Sequence, residues 1–386
     1  MKFIFPVILN LLTSLVNLSA IWYLNNKYIE NIKYSESIAN YSLAILYSLI
    51  IGMAISNIIL SQLKNNRIVI SLESKLKLME ILLFILLVFL LIIVEYSSYA
   101  LVFAIYLLSR ENIFRSILIN NKKLNQASFF ALINILFIWG LVLSDYFLGN
   151  DINIINNTIF VSVILNIFMQ FLINKNFSYL LYKTKDFKLF INKFSINIFS
   201  NLLGALPQVI LLNYLKLNYL LLVPQFILFM YIYRSQMFIP QAIQKITIPY
   251  ITNENSTKFI FIQQFLMFLI FLIFLIFLNF INEDYLISIF GETNNIKLAF
   301  LFVILMGLFS GLTSPYGSYY IKTAKFNISL VLNMCFAIIS VGLLLSAYLY
   351  ELKVNFINIF AIYSLSYFLF FILSLYFYRR TKNDYT

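Results

Sequence analysis

The sequence predicts an all-α integral membrane protein, and two observations lead to that fold class. Of the 386 residues, 62% are hydrophobic and only 11% are charged, and the mean hydropathy is +0.90. A water-soluble domain needs more polar residues than this to cover its surface. Apolar runs of about 18 to 25 residues also recur along the whole chain, and each run is long enough to cross about 30 Å of hydrocarbon as a helix.

Twelve of these runs are predicted to be transmembrane helices. They cover residues 3–24, 37–60, 77–94, 98–118, 127–149, 153–173, 194–214, 218–238, 257–281, 296–317, 325–349 and 355–378. The first run begins directly after Lys2 and has no small-residue cleavage motif, so it is expected to remain in the protein as the first span.

The distribution of basic residues predicts the orientation of these spans. If the N-terminus is cytoplasmic and the spans alternate, all but five of the 27 Lys and Arg residues lie in cytoplasmic segments. The five exceptions are Lys27, Lys33, Lys216, Lys297 and Lys353. Because cytoplasmic loops of membrane proteins are enriched in Lys and Arg, both termini are predicted to be cytoplasmic.

Missing residue types exclude several kinds of chemistry. The sequence contains no His and a single Cys, Cys335, within an apolar run. These counts exclude His-based acid–base catalysis, His/Cys metal sites and an internal disulfide. We therefore expect no enzyme activity, no catalytic residues, no metal and no cofactor. The excess positive charge is assigned to the membrane, so no nucleic-acid partner is expected.

The chain also contains two related halves. The stretch Asn201–Gln208 of the seventh span matches Asn10–Asn17 of the first span at four of eight positions. The tripeptide Lys123–Asn125 after the fourth span is echoed by Lys325–Asn327 after the tenth. Internal repeats that enclose a site near the membrane midplane are common in transporters, so these echoes favour a duplicated six-span unit.

This duplication predicts two six-helix lobes around a central cavity. Residues 1–173 form the N-terminal lobe and residues 194–386 form the C-terminal lobe. The basic segment 174–193 interleaves Lys with Tyr and Phe. It is predicted to join the lobes and to lie along the cytoplasmic membrane surface.

Three motifs of the second half occur in a set order. They are Phe238–Tyr250 with its two prolines after the eighth span, Leu286–Glu292 before the tenth span, and Tyr320–Asn327 ahead of a span that contains Asn333. In order and spacing they resemble the polysaccharide-exporter branch of the MATE-like (MOP) flippase superfamily, which includes Wzx-type O-antigen flippases. This similarity covers most of the second half and, in its helix layout, the whole chain.

The resemblance implies a multi-pass transporter of the bacterial inner membrane. It implies movement of an undecaprenyl-diphosphate-linked oligosaccharide, such as a repeat unit of O-antigen or capsule, across that membrane by alternating access. The implied partners are this lipid-linked oligosaccharide, membrane lipids, and the polymerase and other polysaccharide-assembly proteins.

Two polar stripes are the predicted contacts for such a substrate, because sugar hydroxyls require amides or hydroxyls. The stripes are Asn10, Ser14 and Asn17 in the first span, and Asn197, Asn201, Gly204 and Gln208 in the seventh. Each stripe follows a helical repeat and therefore shares one helix face. Amides are unfavourable in hydrocarbon, so both faces are predicted to point inward, where they either bind sugar or hydrogen-bond between the lobes.

Three arginines are the predicted phosphate ligands: Arg110, Arg115 and Arg234, all near the inner ends of spans. Anchoring by the positive-inside rule also explains their positions. Glu111 is four residues from Arg115 and is expected to pair with it. No span is expected to carry a charge near its middle, which favours a diphosphate site at the cytoplasmic mouth. Asp145, near the outer end of the fifth span, is the candidate ion-coupling carboxylate.

Two prolines are predicted to shape the second half. Pro207 and Pro224 are expected to remove backbone donors inside the seventh and eighth spans, which creates either a hinge or a static kink.

Two other functions remain open from the sequence. A polysaccharide polymerase or lipid-dependent glycosyltransferase of the same pathway usually needs a large outward loop or an acidic pair. The first outward loop has only Glu30 and Glu36, which are six residues apart. A multidrug exporter of the same superfamily requires carboxylates in its cavity for cationic drugs, and no span is expected to offer one at depth.

Overall fold

The structure, a computed structural model, describes residues 4–28, 31–61, 99–120, 123–149, 152–174, 185–247, 251, 255–290, 295–323, 325–349 and 355–383. The regular structure in these ranges is entirely helical. The α-helices are α1 (Ile4–Tyr28), α2 (Ile32–Ser61), α3 (Tyr99–Asn120), α4 (Leu124–Phe147), α5 (Ile154–Asn174), α6 (Lys185–Asn218), α7 (Val223–Thr247), α8 (Ser256–Phe280), α9 (Glu283–Phe290), α10 (Ile296–Lys322), α11 (Phe326–Leu349) and α12 (Phe356–Asn383). One 3₁₀ turn, Leu220–Leu222, leads into α7.

The eleven long helices coincide with eleven of the predicted spans, and the predicted third span, 77–94, lies outside the described residues. Eight of them are long and apolar enough to cross a membrane by length and composition. Helix α8 shows the pattern most clearly, because large apolar side chains such as Phe261, Phe265 and Phe277 are more than half exposed along it. Such a surface is suited to lipid, and the chain is a multi-pass membrane protein.

The boundaries of two helices differ from the predictions. Helix α6 already begins at Lys185, so the second part of the predicted linker is helical, while 175–184 lie outside the described residues. Helix α7 begins at Val223, so Pro224 is its second residue. The prediction that Pro224 interrupts a span is therefore wrong, because a proline in the first helical turn removes no intrahelical hydrogen bond. Pro207 does lie inside α6, as predicted.

Helix packing repeats between the two halves of the chain. In the first half α2 packs on α3, α1 on α4, and α3 on α5; in the second half α7 packs on α10, α6 on α11, and α10 on α12. The echoed tripeptides occupy matching places, since Lys123 directly precedes α4 and Lys325 directly precedes α11. We propose on this basis that the chain is a duplication whose boundary lies between α5 and α6.

The two halves meet through α1, α2, α6, α7 and α10. We call the membrane face at which α1 begins and α12 ends the terminal face, and the opposite one the far face. Near the far face the halves are in close contact: Leu24, Leu215 and Val223 are fully buried there. The buried Asn25 of α1 donates to the Pro224 carbonyl of α7 at 2.8 Å, and the Tyr34 hydroxyl donates to Asn25 Oδ1 at 2.6 Å.

Candidate functional site

A cavity of about 530 Å³ lies between the two halves, and it is the candidate binding site. Its residues come from the beginning of α1, the ends of α2 and α3, the beginning of α4, and the parts of α10, α11 and α12 near the terminal face. Asn201 from the middle of α6 and Met237 of α7 complete it. The cavity therefore occupies the half of the bundle next to the terminal face, and the packed contacts near Asn25 separate it from the far face.

The polar lining of this cavity consists almost wholly of neutral groups. These residues are Asn10, Ser56, Asn57, Asn112, Ser116, Ser128, Asn201, Ser310, Thr313, Ser314, Tyr320, Ser329, Asn333 and Ser374. Arg115 is the one charged residue among the described lining residues, and no carboxylate is among them. Amides and hydroxyls with a single guanidinium suit a polar ligand that is neutral over most of its length and carries an anionic group.

Arg115 is held in place by a buried network inside the first half. Its guanidinium donates to Glu111 Oε2 at 3.1 Å, which confirms the predicted pair. Asn134 of α4 donates through Nδ2 to the same carboxylate oxygen. The Glu111 side chain is fully buried, whereas the Arg115 side chain is 27% exposed. The network thus turns the guanidinium toward the cavity and keeps its counterion within the protein.

The position of Glu111 corrects one expectation from the sequence. Arg110 and Glu111 lie at the midpoint of the 22-residue α3, so the prediction that no span carries a charge near its middle is wrong. An ionised carboxylate in the bundle interior is very unfavourable unless it is paired and hydrogen-bonded. The Arg115 and Asn134 donors supply that compensation, and only the tertiary structure brings Asn134 to this carboxylate.

The predicted amide stripes are divided between the cavity and the interface. Asn10 and Asn201, which occupy equivalent places in the echoed stretches, both line the cavity. Asn10 donates to Ser128 Oγ at 3.2 Å, and Asn201 donates across the interface to the Ile50 carbonyl at 3.2 Å. Asn197 is buried, and it accepts from the cavity-lining Asn57 at 3.4 Å. Asn201 therefore both lines the cavity and contacts the other half, whereas Asn10 only lines the cavity and Asn197 only contacts the other half.

The other members of the stripes lie away from the cavity. Asn17 accepts a hydrogen bond of 2.6 Å from the indole nitrogen of Trp139 in α4. Ser14 is buried, and its hydroxyl has no partner among the described residues. Gln208 lines a small void of about 20 Å³ at the interface and hydrogen-bonds to Tyr367.

Two of the three candidate arginines are not part of the cavity lining. Arg110 points between α3 and α5, where it donates to Gln170 at 2.7 Å and stacks over Phe114. Arg234 of α7 lies in the small void beside Gln208, with its guanidinium 5.5 Å from the Tyr231 ring. The candidate coupling residue Asp145 accepts from Asn157 at 2.8 Å near the far end of α4. Of the three predicted arginines, Arg115 is therefore the one that lines the cavity.

The sequence predictions missed the hydroxyl-rich wall formed by the second half. Ser310, Thr313 and Ser314 of α10, together with Ser374 of α12, face the same cavity. A serine or threonine in a helix can satisfy its hydroxyl by donating to its own backbone, as Thr313 does to the Phe309 carbonyl. Hydropathy therefore treats such residues as nearly neutral. The sequence feature that could have indicated this wall is the recurrence of small polar residues along a single face of α10.

Solved structures resemble this arrangement over nearly its whole length. An outward-facing multidrug resistance MATE family transporter of the MOP superfamily aligns with 99% of this chain and 96% of its own, with a TM-score of 0.70 and 11% identity. A MOP superfamily transporter from Pyrococcus furiosus aligns with 99% of this chain and 95% of its own, with a TM-score of 0.65 and 15% identity. The chain has the MATE transporter fold. No protein-family model and no curated protein sequence matches it.

The description of the second of these MATE-fold structures bears on the cavity. It states that a reversed polarity of the binding pocket suggests a different function for that MOP superfamily transporter. At 11% to 15% identity, these neighbours establish the fold of the present chain.

Proposed function

We propose that this chain is a transporter of the bacterial inner membrane that flips an undecaprenyl-diphosphate-linked oligosaccharide, such as a repeat unit of O-antigen or capsule. The observation that carries the proposal is the composition of the cavity. Its described lining holds one guanidinium, many amides and hydroxyls, and no carboxylate. A diphosphate needs a cation, and the sugar needs neutral donors and acceptors.

The location of the cavity supports loading from the cytoplasm. It lies next to the terminal face, where the positive-inside rule places the cytoplasm. A cavity on that side would accept a lipid-linked sugar from the cytoplasmic leaflet. Closure on the opposite side through Asn25 and Pro224 fits the same step of an alternating-access cycle.

A multidrug exporter is the second candidate, because a structural neighbour is a multidrug resistance transporter. The cavity chemistry favours the lipid-linked sugar over a cationic drug. A cationic drug gains from carboxylates and is repelled by the Arg115 guanidinium, and the acidic partner of Arg115 is buried behind it. Enzymatic function in the same pathway is less favoured still, since the structural neighbours are transporters.

Reconstitution into liposomes tests the proposal directly. Purified protein is expected to flip a fluorescent undecaprenyl-diphosphate oligosaccharide between leaflets and to leave the cationic dye ethidium unmoved. The variant Arg115→Gln is expected to slow flipping at least about tenfold, since a charge-assisted hydrogen bond to phosphate contributes roughly 1.5–3 kcal/mol.

Arg110→Gln is the matched control for this variant. Arg110 is on the same helix as Arg115, but it donates to Gln170 outside the cavity. Its replacement removes the same charge from the protein and is expected to leave flipping within about twofold of the wild type. Transport of ethidium would rule out the proposed substrate. Equal losses of flipping in Arg115→Gln and Arg110→Gln would rule out the proposed phosphate site.

A further inference from the structure

We propose that α10 is the wall against which the sugar portion of the substrate lies, and that Gly317 sets the largest head group that the cavity admits. This inference rests on the proposed function and adds a determinant of substrate size to it. It is carried by Gly317, by the hydroxyls on the same face of α10, and by one buried hydroxyl from α12.

Gly317 differs from the other glycines of its helix in what surrounds it. A Cβ built at Gly307 would lie 2.2 Å from Gln236 Oε1, and one at Gly311 would lie 2.4 Å from the Met267 methyl carbon. Those two glycines therefore permit close side-chain packing. Gly317 lines the cavity, and a Cβ at this position would meet no atom of the described residues within 4 Å.

Packing therefore gives no reason for a glycine at position 317. Glycine in a helix interior is less favourable than alanine, because it loses more backbone freedom on folding. Position 317 has neither a close helix neighbour nor a turn that requires glycine. What the missing side chain does provide is open space inside the binding cavity, at the centre of the wall formed by α10.

The same face of α10 presents two hydroxyls on one side of that space. Ser310, Ser314, Gly317 and Ile321 recur at helical spacing, and all of them line the cavity. At about 1.5 Å per residue this face extends roughly 16 Å along the helix. The hydroxyls of Ser310 and Tyr233 are joined by a 2.8 Å hydrogen bond.

A buried hydroxyl also lies beside this face of α10. Ser374 of α12 is only 1% exposed and lines the cavity, yet its Oγ has no hydrogen-bond partner among the described residues. A buried hydroxyl without a partner is unfavourable, and a sugar hydroxyl would satisfy it. Arg115 lies on the opposite wall, in the first half. The substrate is thereby oriented with phosphate against α3 and a polyhydroxylated head group against α10.

A graded substitution series tests this assignment. Gly317→Ala, Gly317→Leu and Gly317→Phe add progressively more volume to the cavity without displacing a neighbour. Two undecaprenyl-diphosphate probes are compared in liposomes, one bearing a single sugar and one bearing the full repeat unit. We expect Gly317→Leu to slow the larger probe at least about tenfold and the smaller one less than about threefold, with Gly317→Phe blocking both.

The chain offers matched controls for the added volume. Gly140 of α4 and Gly342 of α11 are also free of atoms within 4 Å of a built Cβ, and both are exposed and outside the cavity lining. Gly140→Leu and Gly342→Leu are expected to transport both probes as the wild type does. The proposal would be overturned if Gly317→Leu flipped each probe at the same rate as these control variants do.

A thiol measurement separates this inference from the proposed function. In a Cys335→Ser background, the thiol of Gly317→Cys is expected to react with a small maleimide added at the terminal face. The probe that bears the full repeat unit is expected to protect the thiol from this reaction. Failure of labelling would refute the position assigned to Gly317. If the wild type flips neither probe while Gly317→Cys is labelled without protection, the proposed substrate fails and the proposal fails with it. If flipping occurs without protection, only the sugar-facing role of α10 fails.

Discussion

Among single residues, Glu111 and Arg115 show how a short sequence pattern acquires a function. Their spacing of four residues already indicates a helical pair. The structure adds that the carboxylate is fully buried and has a second donor in Asn134 of α4. Arg115 is thereby presented to the cavity with its counterion on the protein side. A phosphate that enters the cavity meets a guanidinium already oriented for it.

The variant Glu111→Leu is therefore expected to destabilise the protein, and Arg115→Met is expected to destabilise it more, because it leaves the fully buried Glu111 carboxylate without its counterion. Removal of the carboxylate leaves the Arg115 guanidinium partly buried without its counterion, and removal of one partner of a buried pair typically costs about 3–5 kcal/mol. Since Arg115 is 27% exposed, we expect a loss of about 2 kcal/mol in the free energy of unfolding.

A double-mutant cycle by thermal unfolding in detergent measures this interaction. The double variant Glu111→Leu/Arg115→Met is expected to be more stable than Glu111→Leu alone, because no unpaired charge remains. Strictly additive effects of the two substitutions would show that the pair contributes no interaction energy.

Among the structural elements, α1 and α7 form the contact that closes the far face. Asn25 of α1 donates to the carbonyl of Pro224 and accepts from Tyr34, so one side chain joins three segments. Pro224 lies in the first turn of α7, where a proline is well accommodated. If the chain transports its substrate as proposed, this cross-half hydrogen bond breaks when the far face opens.

Asn25→Leu is expected to favour opening toward the far face. The variant leaves the Tyr34 hydroxyl and the Pro224 carbonyl without this partner, and a net loss of about 1 kcal/mol corresponds to a roughly fivefold shift in population. We expect the labelling rate of Ile21→Cys, a fully buried position on α1, to rise by that factor in a Cys335→Ser background.

Ser19→Ala provides the control on the same helix. Its hydroxyl donates only to the Val16 carbonyl within α1. An unchanged labelling rate in Asn25→Leu, or an equal rise in Ser19→Ala, would show that the Asn25 contact does not hold the far face closed.

For the whole molecule, the distribution of Lys and Arg predicts which face is cytoplasmic. In a Cys335→Ser background, Leu148→Cys in the far-face connection after α4 is expected to react with an impermeant maleimide in intact cells. Lys123→Cys, directly before α4, is expected to react only after permeabilisation. The two positions flank one helix, so they report opposite sides of the membrane. The reverse pattern would invert the orientation of the protein and of its cavity.

Most of the helical layout could be predicted because its signals are local. Hydropathy, helical periodicity and basic flanks all act within a single span, and eleven of the predicted spans coincide with long helices. The repeat could also be recognised, since Asn10 and Asn201 share equivalent positions and both line the cavity. The predicted start of α7 was wrong because the apolar sequence continues through the 3₁₀ turn before Pro224. Hydropathy does not distinguish that turn from the helix that follows.

The site depended on information that no single helix contains. Asn10 and Asn17 lie on one stripe of α1, yet one lines the cavity and the other bonds to Trp139. Arg110 and Arg115 occupy one helix, yet only Arg115 lines the cavity. A helix face spans several neighbours, and the neighbour that each residue meets is set by packing between distant segments.

The sequence by itself determined that this is a membrane protein, the positions of most of its spans and its candidate polar residues. Each of these follows from the local energetics of placing side chains in hydrocarbon. Only the tertiary structure decided that Arg115 is the cavity's cation, that Glu111 is its buried counterion, and that α10 supplies a hydroxyl wall with space at Gly317. The physical reason is that cavities and buried networks arise where helices far apart in the chain meet, and those contacts leave no periodic signal in any one helix.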